Sequence, residues 1–344
     1  MTGQPDADRL AAFVRERVEP FDGALALRRI EGGQSNPTWI VDAGARRYVL
    51  RSKPAGVLLP SAHAIEREFR VMQGLAGTAV PVPRVRALCE DAGVLGSAFY
   101  LMDFVEGRIL TDQTLPGMAP AERAAHYAEL ARVLAALHAV DHRSAGLADF
   151  GREGRYVERQ IERWTRQYRA SETESIGDME RLIDWLAAHV PAQSATCLVH
   201  GDYRLDNVVF HATQPRIVAV LDWELSTLGD PLVDLAYHCM GWHIALGTHR
   251  TLAGVDLGPL GIPDEAAQIA SYCRAAGRGE DIAHWPFYLA FNLFRLAAIQ
   301  QGVARRALLG NAANSRARAV AERVAATAAA GWAMAQRAAP ALPP

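Results

Sequence analysis

The segment that decides the fold runs from Leu198 to Ala236 and reads LVHGDYRLDNVVFHATQPRIVAVLDWELSTLGDPLVDLA. Two short apolar runs in it, Val208–Phe210 and Ile217–Leu221, have the length and the β-branched content of buried strands. Between them, Thr213-Gln214-Pro215 has the composition of a turn. The segment therefore predicts a β-hairpin with polar residues on both flanks.

Three oxygen-bearing side chains lie on the flanks of this hairpin. Asp202 and Asn207 precede the first strand, and Asp222 follows the second. A hard cation such as Mg²⁺ takes oxygen ligands from one or two carboxylates together with substrate phosphates. Phosphoryl transfer also needs a carboxylate that accepts the proton of the attacking hydroxyl. The three residues therefore predict a site for phosphoryl transfer that uses a magnesium ion.

The residues around these three side chains form recognisable motifs. They are His200-Gly201-Asp202-x4-Asn207, Leu221-Asp222-Trp223-Glu224 and Gly229-Asp230-Pro231-x2-Asp234-Leu235-Ala236. In this order and at these spacings they resemble the aminoglycoside phosphotransferase-like branch of the protein-kinase superfamily. Within that branch, Tyr203-Arg204-Leu205-Asp206 and Arg159-Gln160-x2-Arg163-Trp164 are most similar to the phosphotransferase domains associated with acyl-CoA dehydrogenases.

This resemblance implies a two-lobed, protein-kinase-like α+β fold with ATP and Mg²⁺ as cofactors. A small, sheet-rich N-terminal lobe over residues 1–103 would bind the nucleotide, and a larger, mainly helical lobe over residues 104–344 would carry catalysis and substrate binding. MgATP would lie between the lobes. Asp202 would be the catalytic base, and Asn207 and Asp222 would bind one or two metal ions.

The sequence leaves two interpretations open for Arg204, which lies two residues after Asp202. It either faces the moving phosphoryl group or forms a surface ion pair. His200 is expected to hydrogen-bond within the loop. Asp230 and Asp234 are expected to cap a helix that begins near Pro231 and to support the catalytic loop.

The N-terminal part of the chain has the alternating pattern of a sheet. Strands are predicted near residues 25–30, 39–41 and 48–51, after a short helix within residues 5–19. By the resemblance, Gly33 and Ser35 lie in the turn that covers the nucleotide phosphates. Arg51 ends the third strand, where protein kinases carry a phosphate-binding lysine, and Lys53 on the same face is its alternative.

A helix over residues 61–75, with Ser61 as its N-cap, is predicted to follow. By the resemblance to the kinase helix that carries such a glutamate, Glu68 would orient Arg51. Glu66 is the alternative partner, and a solvated ion pair is the remaining interpretation. Residues 98–107 resemble the last strand of the small lobe and the hinge that binds adenine. The candidate nucleotide contacts there are Met102, Asp103 and Val105.

Helical patterns dominate the rest of the chain, over residues 119–140, 155–169, 264–276, 284–309 and 314–337. The second of these carries an arginine stripe opposite its apolar face: Arg152, Arg155, Arg159, Arg163 and Arg166. The stripe is either a solvated face or an anion-binding wall for a substrate carboxylate or for coenzyme A phosphates. The candidate substrate-binding residues are Arg159, Arg163, Glu224 and Arg295.

Composition narrows the class of protein. Of 344 residues, 50% are hydrophobic and 22% are charged, which is typical of a globular protein with a sizeable core. The net charge of −2 does not favour nucleic-acid binding. The four cysteines are far apart, so they predict reduced thiols rather than a metal site. With no membrane-spanning run and no signal segment, we expect a cytoplasmic protein.

The sequence thus predicts an ATP- and Mg²⁺-dependent phosphotransferase that acts on the hydroxyl of a small molecule. The resemblance implies a hydroxyacyl-CoA or a hydroxy acid as the substrate. An aminoglycoside, choline or homoserine is the alternative, and an aminoglycoside would favour carboxylates rather than arginines around it. A rival of another class is a non-catalytic nucleotide-binding module. The oligomeric state stays open.

Overall fold

The computed structural model describes residues 4–30, 36–54, 64–244, 251–309 and 315–338. Within this part of the chain the helices are α1 (Ala7–Arg17), α2 (Ile65–Leu75), α3 (Ala92–Leu95), α4 (Pro120–His138), α5 (Tyr156–Ser171), α6 (Gly177–Ala188), α7 (Pro231–Cys239), α8 (Glu265–Ala276), α9 (Trp285–Leu309) and α10 (Ser315–Ala338). The strands are β1 (Leu25–Arg29), β2 (Thr38–Ala43), β3 (Arg46–Ser52), β4 (Val85–Cys89), β5 (Phe99–Asp103), β6 (Cys197–Val199), β7 (Val208–Phe210), β8 (Ile217–Val220) and β9 (Thr227–Gly229).

The chain divides into two compact units that do not coincide with two continuous segments. The first unit comprises Met1–Ile109, Val140–Phe150 and Asn207–Ser226. The second comprises Leu110–Ala139, Gly151–Asp206 and Thr227–Pro344. Because two later segments join the first unit, the lobe boundary between residues 103 and 104 stays a prediction.

A five-stranded antiparallel sheet forms the centre of the first unit, in the order β1-β2-β3-β5-β4. Side chains alternate between its two faces. On β3, Tyr48 and Leu50 belong to the core cluster that also contains residues of α1. Val49 and Arg51 therefore lie on the opposite face, as the alternation in the sequence predicts.

The predicted hairpin is present in the first unit as the antiparallel pair β7 and β8, with Val208 opposite Val220. A single antiparallel bridge also joins Phe210 to Arg108. The backbone at Gly107 lies close to the backbone at Phe210, since a Cβ atom on Gly107 would be 2.3 Å from the Phe210 carbonyl oxygen. Glycine is therefore required at position 107.

Helices make up most of the second unit, with one short two-stranded sheet of β6 and β9. On α5 the buried residues include Val157, Ile161, Trp164 and Tyr168, the apolar face that the sequence predicts. The antiparallel neighbours α9 and α10 form its most extensive helix pair. Helix α6 was not predicted. None of the described helices is long and apolar enough to cross a membrane.

One predicted helix boundary is wrong. Helix α2 begins at Ile65, with Ala64 at the N-cap position and no side-chain cap, instead of at Ser61. Ser61 itself lies outside the described residues, as do the predicted nucleotide contacts Gly33 and Ser35.

Candidate active site

Arg51 of β3 forms a buried ion pair with Glu68 of α2. Its Nε atom lies 2.9 Å from Oε2 of Glu68, and the two side chains are 15% and 2% exposed. The Tyr100 hydroxyl donates to Oε2 of Glu68, and the Asn36 amide donates to Oε1, each at 2.9 Å. Lys53 pairs with Glu66 instead. The structure therefore brings together the pair Arg51 and Glu68 that the sequence predicts.

Two further carboxylates surround Arg51. Its Nη2 atom donates to Oδ1 of Asp222 at 2.9 Å and lies 3.5 Å from Oε2 of Glu224. Burial raises the pKa of Glu68 to about 7, although Arg51 lowers it, and the charge of Asp222 adds to the rise. Three carboxyl groups around one guanidinium make this part of the first unit acidic, which suits an additional cation.

The hairpin explains how Asn207 and Asp222 come to one end of β7 and β8. Asn207 directly precedes β7, and its carbonyl oxygen accepts a hydrogen bond from the Leu221 amide at 2.8 Å. Asp222 follows in a left-handed conformation, with φ of 64° and ψ of 61°. That conformation is uncommon for a residue other than glycine and is characteristic of functional positions.

The donor set at this end of the hairpin fits magnesium. It offers the amide oxygen of the buried Asn207 and the carboxylate of Asp222, and both are hard oxygen ligands. No group of three or more His, Cys, Asp or Glu side chains is arranged to hold a metal within the described ranges. Such a group is not needed for Mg²⁺, because nucleotide phosphates and water complete its coordination.

In the second unit, Asp234 of α7 holds the loop that carries Asp202. Its Oδ2 accepts a hydrogen bond from the backbone amide of His200 at 2.6 Å, and its Oδ1 accepts one from the amide of Gly201 at 2.7 Å. Burial alone would raise the pKa of Asp234, but the hydrogen bond from His138 and the bonds from the loop keep it below its ordinary value. Gly201, with φ of 83°, supplies the left-handed residue of the loop.

The predictions for the supporting residues are confirmed in part. Asp230 caps α7, since it accepts the Leu232 amide at 2.9 Å. Asp234 supports the loop from within the helix, so it is not a cap. The Asp202 amide donates to Nδ1 of His200 at 3.2 Å, which is the bond within the loop expected of that histidine.

Asp202 contacts two residues of the second unit directly. The hydroxyl of Tyr237 donates a hydrogen bond to Oδ1 of Asp202. Arg204 Nε lies 3.4 Å from the same oxygen and 3.1 Å from Oδ1 of Asp206. Of the two readings for Arg204, the ion pair is thus present. Its role towards a phosphoryl group stays a prediction.

Tyr237 is a functional candidate that the sequence analysis missed. Burial raises the pKa of its hydroxyl, and the charge of Asp202 raises it further, so Tyr237 stays a donor. A helical pattern alone would assign Tyr237 to the core. The available signal was its spacing of three residues from Asp234, because residues at that spacing share a helix face.

Arg295 of α9 also supports the catalytic loop. Its Nη2 donates to the Gly201 carbonyl oxygen at 2.5 Å, and the residue is only 3% exposed. The guanidinium carbon lies 5.4 Å from the ring centre of Trp164 and 5.2 Å from that of Tyr237. The structure gives Arg295 this internal contact, and its predicted contact with substrate stays a prediction.

The arginine stripe on α5 has mostly local contacts. Arg159 donates to the carbonyl oxygens of Gly154 and of Arg152, the latter at 2.7 Å. Arg163 is exposed and lies over the Trp164 ring at 5.4 Å. The role of the stripe in substrate binding stays a prediction.

The predicted hinge residues lie at the end of β5. Asp103 accepts two hydrogen bonds from Arg86, at 2.6 and 2.9 Å. Its own amide donates to the Arg84 carbonyl at 2.9 Å. Met102 pairs with Val49 in the sheet. Asp103 thus connects β5 to β4 through its bonds to Arg86 and Arg84. Adenine binding by Met102, Asp103 or Val105 stays a prediction.

A cavity of about 690 Å³ lies wholly within the second unit, and we call it the α9 cavity. Its described lining residues are Thr111, Gln113, Arg204, Leu205, Asp206, Tyr237, His238, Met240, Gly241, Ile244, Thr251, Leu296, Ile299, Gln300, Val303 and Arg323. The cavity reaches the catalytic loop, because Tyr237 and Arg204 both line it and both contact Asp202. Its volume is that of a typical small-molecule site.

The fold and these residues agree with the comparisons with known proteins. Residues 26–291 match the model of the phosphotransferase enzyme family. The chain belongs to this family, and it has the two-lobed, kinase-like α+β fold that the sequence predicts. The resemblance found in the sequence is thereby confirmed.

Two curated relatives illustrate the kinship. The chain is 48% identical to mouse acyl-CoA dehydrogenase family member 10 over 297 residues, which are 86% of this chain and 28% of that protein. It is 40% identical to human acyl-CoA dehydrogenase family member 11 over 315 residues, which are 89% of this chain and 40% of that protein. The chain therefore spans well under half the length of these relatives.

Solved structures support the fold. A Ralstonia eutropha protein, provisionally named an aminoglycoside phosphotransferase, is 51% identical with a TM-score of 0.87, covering 97% of this chain and 99% of that one. The aminoglycoside phosphotransferase APH(4)-Ia, solved with AMP-PNP and hygromycin B, is 19% identical with a TM-score of 0.61, covering 96% and 98%. The second likeness concerns the fold alone.

Proposed function

We propose that this chain transfers the γ-phosphoryl group of ATP to the hydroxyl of a small molecule, with Mg²⁺ as the metal. The observation that carries the proposal is the hairpin of β7 and β8, which fixes Asn207 and Asp222 at one end of two paired strands. The AMP-PNP bound to APH(4)-Ia, a protein of the same fold, supports ATP as the donor. We assign nucleotide binding to residues 1–103 and acceptor binding and catalysis to residues 104–344.

Asp202 is the catalytic base in this proposal. Its carboxylate accepts the proton of the acceptor hydroxyl as the oxygen attacks the γ-phosphorus, and the bond from that phosphorus to the bridging oxygen breaks, so that ADP leaves. The loop amides donate hydrogen bonds to Asp234, and Tyr237 donates one to Oδ1 of Asp202, so the carboxylate of Asp202 is held before substrate arrives. Such preorganisation lowers the entropic cost of reaching the transition state.

Positive charge for the phosphates comes from Arg51 and Arg204. Arg51 is held in place by Glu68, and its pKa is raised by negative neighbours although burial alone would lower it, so it stays charged. Asn207 and Asp222 would hold Mg²⁺, which neutralises charge on the nucleotide phosphates when it is bound. These residues therefore stabilise the charge that develops during transfer.

A hydroxyacyl-CoA or a free hydroxy acid is the acceptor that we favour. The names of the mouse and human relatives link this type of chain to acyl-CoA dehydrogenases. The second candidate is an aminoglycoside, since the Ralstonia relative carries that provisional name. A polycationic antibiotic would be best recognised by several free carboxylates, because opposite charges steer and bind.

The test is ADP release with MgATP across hydroxyacyl-CoAs, free hydroxy acids, choline, homoserine and two aminoglycosides. We expect turnover with the hydroxyacyl compounds. Turnover with aminoglycosides alone would overturn the favoured substrate class and keep the kinase reaction. Tight MgATP binding without ADP formation on any acceptor would favour the non-catalytic alternative.

A further inference from the structure

One wall of the α9 cavity is an apolar face of a single helix. Leu296, Ile299 and Val303 line it at spacings of three and four residues, so they lie in a row along α9. The row is about 10 Å long, since an α-helix rises about 1.5 Å per residue. Met240 and Ile244 contribute further apolar surface. The cavity thus contains an elongated hydrocarbon surface.

The Leu296 end of this row lies beside the catalytic loop. Arg295, the preceding residue, binds the Gly201 carbonyl and packs against the Tyr237 ring. Tyr237 in turn binds Asp202. A hydroxyl group at this end of the cavity would therefore be next to the proposed base.

The Val303 end lies beside a cation. The Thr327 hydroxyl of α10 donates to Oε1 of Gln300 at 3.0 Å, and Gly331 lies against Leu293. The two helices therefore run antiparallel, with Thr327 opposite Gln300. Arg323 is one turn before Thr327, which places it near Val303, and it lines the same cavity.

Charge in the cavity favours an anion. Among the described lining residues, Asp206 is the single carboxylate, and it is paired with Arg204 at 3.1 Å. Arg323 is exposed on α10. The cavity therefore offers a guanidinium at its far end, an apolar middle and the catalytic loop at its near end.

We propose that the α9 cavity binds the hydrocarbon chain of a hydroxylated acyl substrate, with the reacting hydroxyl at Tyr237 and an anionic group at Arg323. This inference rests on the proposed function and names the residues that select its substrate. The anionic group is the carboxylate of a free hydroxy acid, because the pantetheine arm of an acyl-CoA holds its phosphates well beyond the end of so short a row. Each buried methylene should strengthen binding by about fourfold until the chain fills the row.

Binding of unreactive probes tests the cavity separately from catalysis. Octanoate and octanoyl-CoA lack the hydroxyl, so calorimetry reports their affinity without turnover. Arg323→Ala should weaken binding by about tenfold, because it removes a hydrogen bond to a charged group. Arg337→Ala is the matched control, an exposed arginine on the same helix that does not line the cavity. Octanoate should respond to Arg323→Ala, and a response of octanoyl-CoA alone would contradict a carboxylate at Arg323.

A cavity-filling variant tests the position of the chain. Leu296→Trp should weaken binding of octanoate and leave butanoate unchanged, because both chains begin at Arg323 and only the longer one reaches the Leu296 end. Equal effects of Arg323→Ala and Arg337→Ala on octanoate would overturn the proposal, and so would equal effects of Leu296→Trp on both chain lengths. Arg323-dependent binding without phosphorylation of any hydroxylated acyl compound would support the cavity and contradict the proposed function. Phosphorylation that is unaffected by Arg323→Ala and by Leu296→Trp would support the proposed function and contradict the role of the cavity.

Discussion

Tyr237 and Asp202 are joined by a hydrogen bond from the phenolic hydroxyl to Oδ1 of the carboxylate. The bond links α7 to the catalytic loop, and Asp234 on the same helix binds two amides of that loop. One helix therefore fixes both the backbone of the loop and the side chain of the proposed base. The orientation of Asp202 depends on α7 as much as on its own neighbours.

Tyr237→Phe should lower kcat by about tenfold, because it removes a hydrogen bond to a charged group that orients the base. KM for ATP should stay unchanged, since Tyr237 contacts no residue assigned to nucleotide binding. Steady-state kinetics with varied ATP separates the two parameters. Tyr48→Phe removes another buried phenolic hydroxyl, one bonded to Glu19, and is the control for general destabilisation. A raised KM for ATP with unchanged kcat would contradict the positioning role.

Replacing Arg51 and replacing Lys53 should have different effects on nucleotide binding. Arg51→Met should lower kcat/KM for ATP by about a hundredfold, because it removes a preorganised positive charge. It should also destabilise the protein by roughly 3 kcal/mol, since Glu68 stays buried without its partner. Lys53→Met should stay close to the wild type, because Lys53 pairs with Glu66 at a half-exposed site. The reverse order of effects would assign phosphate binding to Lys53.

Asp222→Asn should raise the Mg²⁺ concentration needed for half-maximal rate, because an amide is a weaker ligand than a carboxylate. Calorimetric titration of MgATP provides a second readout that does not depend on turnover. Asp149→Asn, an exposed aspartate paired with Arg70, is the conservative control. An unchanged Mg²⁺ dependence in Asp222→Asn would remove this residue from the metal site.

Because His238 is buried, we expect the protein to lose stability as the pH falls. Burial lowers its pKa to about 4, so the native state keeps the imidazole neutral, whereas the unfolded chain binds a proton below about pH 6.5. The contribution of His238 to the free energy of unfolding should therefore fall by roughly 3 kcal/mol as the pH drops from about 6.5 to about 4, and level off below.

Denaturant unfolding of the wild type and of His238→Phe over this pH range measures the difference. The variant should lose the His238 part of the slope, because phenylalanine binds no proton. His189→Gln, at an exposed histidine, should keep the wild-type slope. Parallel slopes for all three proteins would show that His238 is not the linked group.

Local patterns made some of these features predictable and not others. The hairpin was predicted because two apolar runs flank a turn within one short segment. The pair Arg51 and Glu68 followed from the resemblance to the strand and helix of protein kinases, and strand alternation placed Arg51 on the same face as Val49. The Ser61 cap was wrong, because α2 has Ala64 at its N-cap position and begins without a side-chain cap. A capping residue in the sequence does not by itself fix where a helix starts.

Local sequence patterns could not predict the contacts between segments that are distant in the chain. Arg295 reaches Gly201 from a helix ninety-four residues away, and its aromatic neighbours Trp164 and Tyr237 come from two further helices. In sequence these residues look like ordinary core aromatics and a helical arginine. The α9 cavity likewise depends on α10 lying antiparallel to α9, which no periodicity specifies.

The most direct measurement is transfer of phosphate from MgATP to a hydroxyacyl-CoA in a single turnover, with the wild type and Asp202→Asn compared by phosphorus NMR of the product. We predict a phosphate ester on the acceptor hydroxyl with the wild type. With Asp202→Asn we predict a rate lower by about a thousandfold and MgATP binding that is nearly unchanged, because the variant lacks only the general base. Asp178→Asn, on α6, is the matched control and should retain the wild-type rate. Full transfer activity in Asp202→Asn would contradict the assignment of the base, and bound MgATP with no ester from any hydroxyl acceptor would contradict the proposed reaction itself.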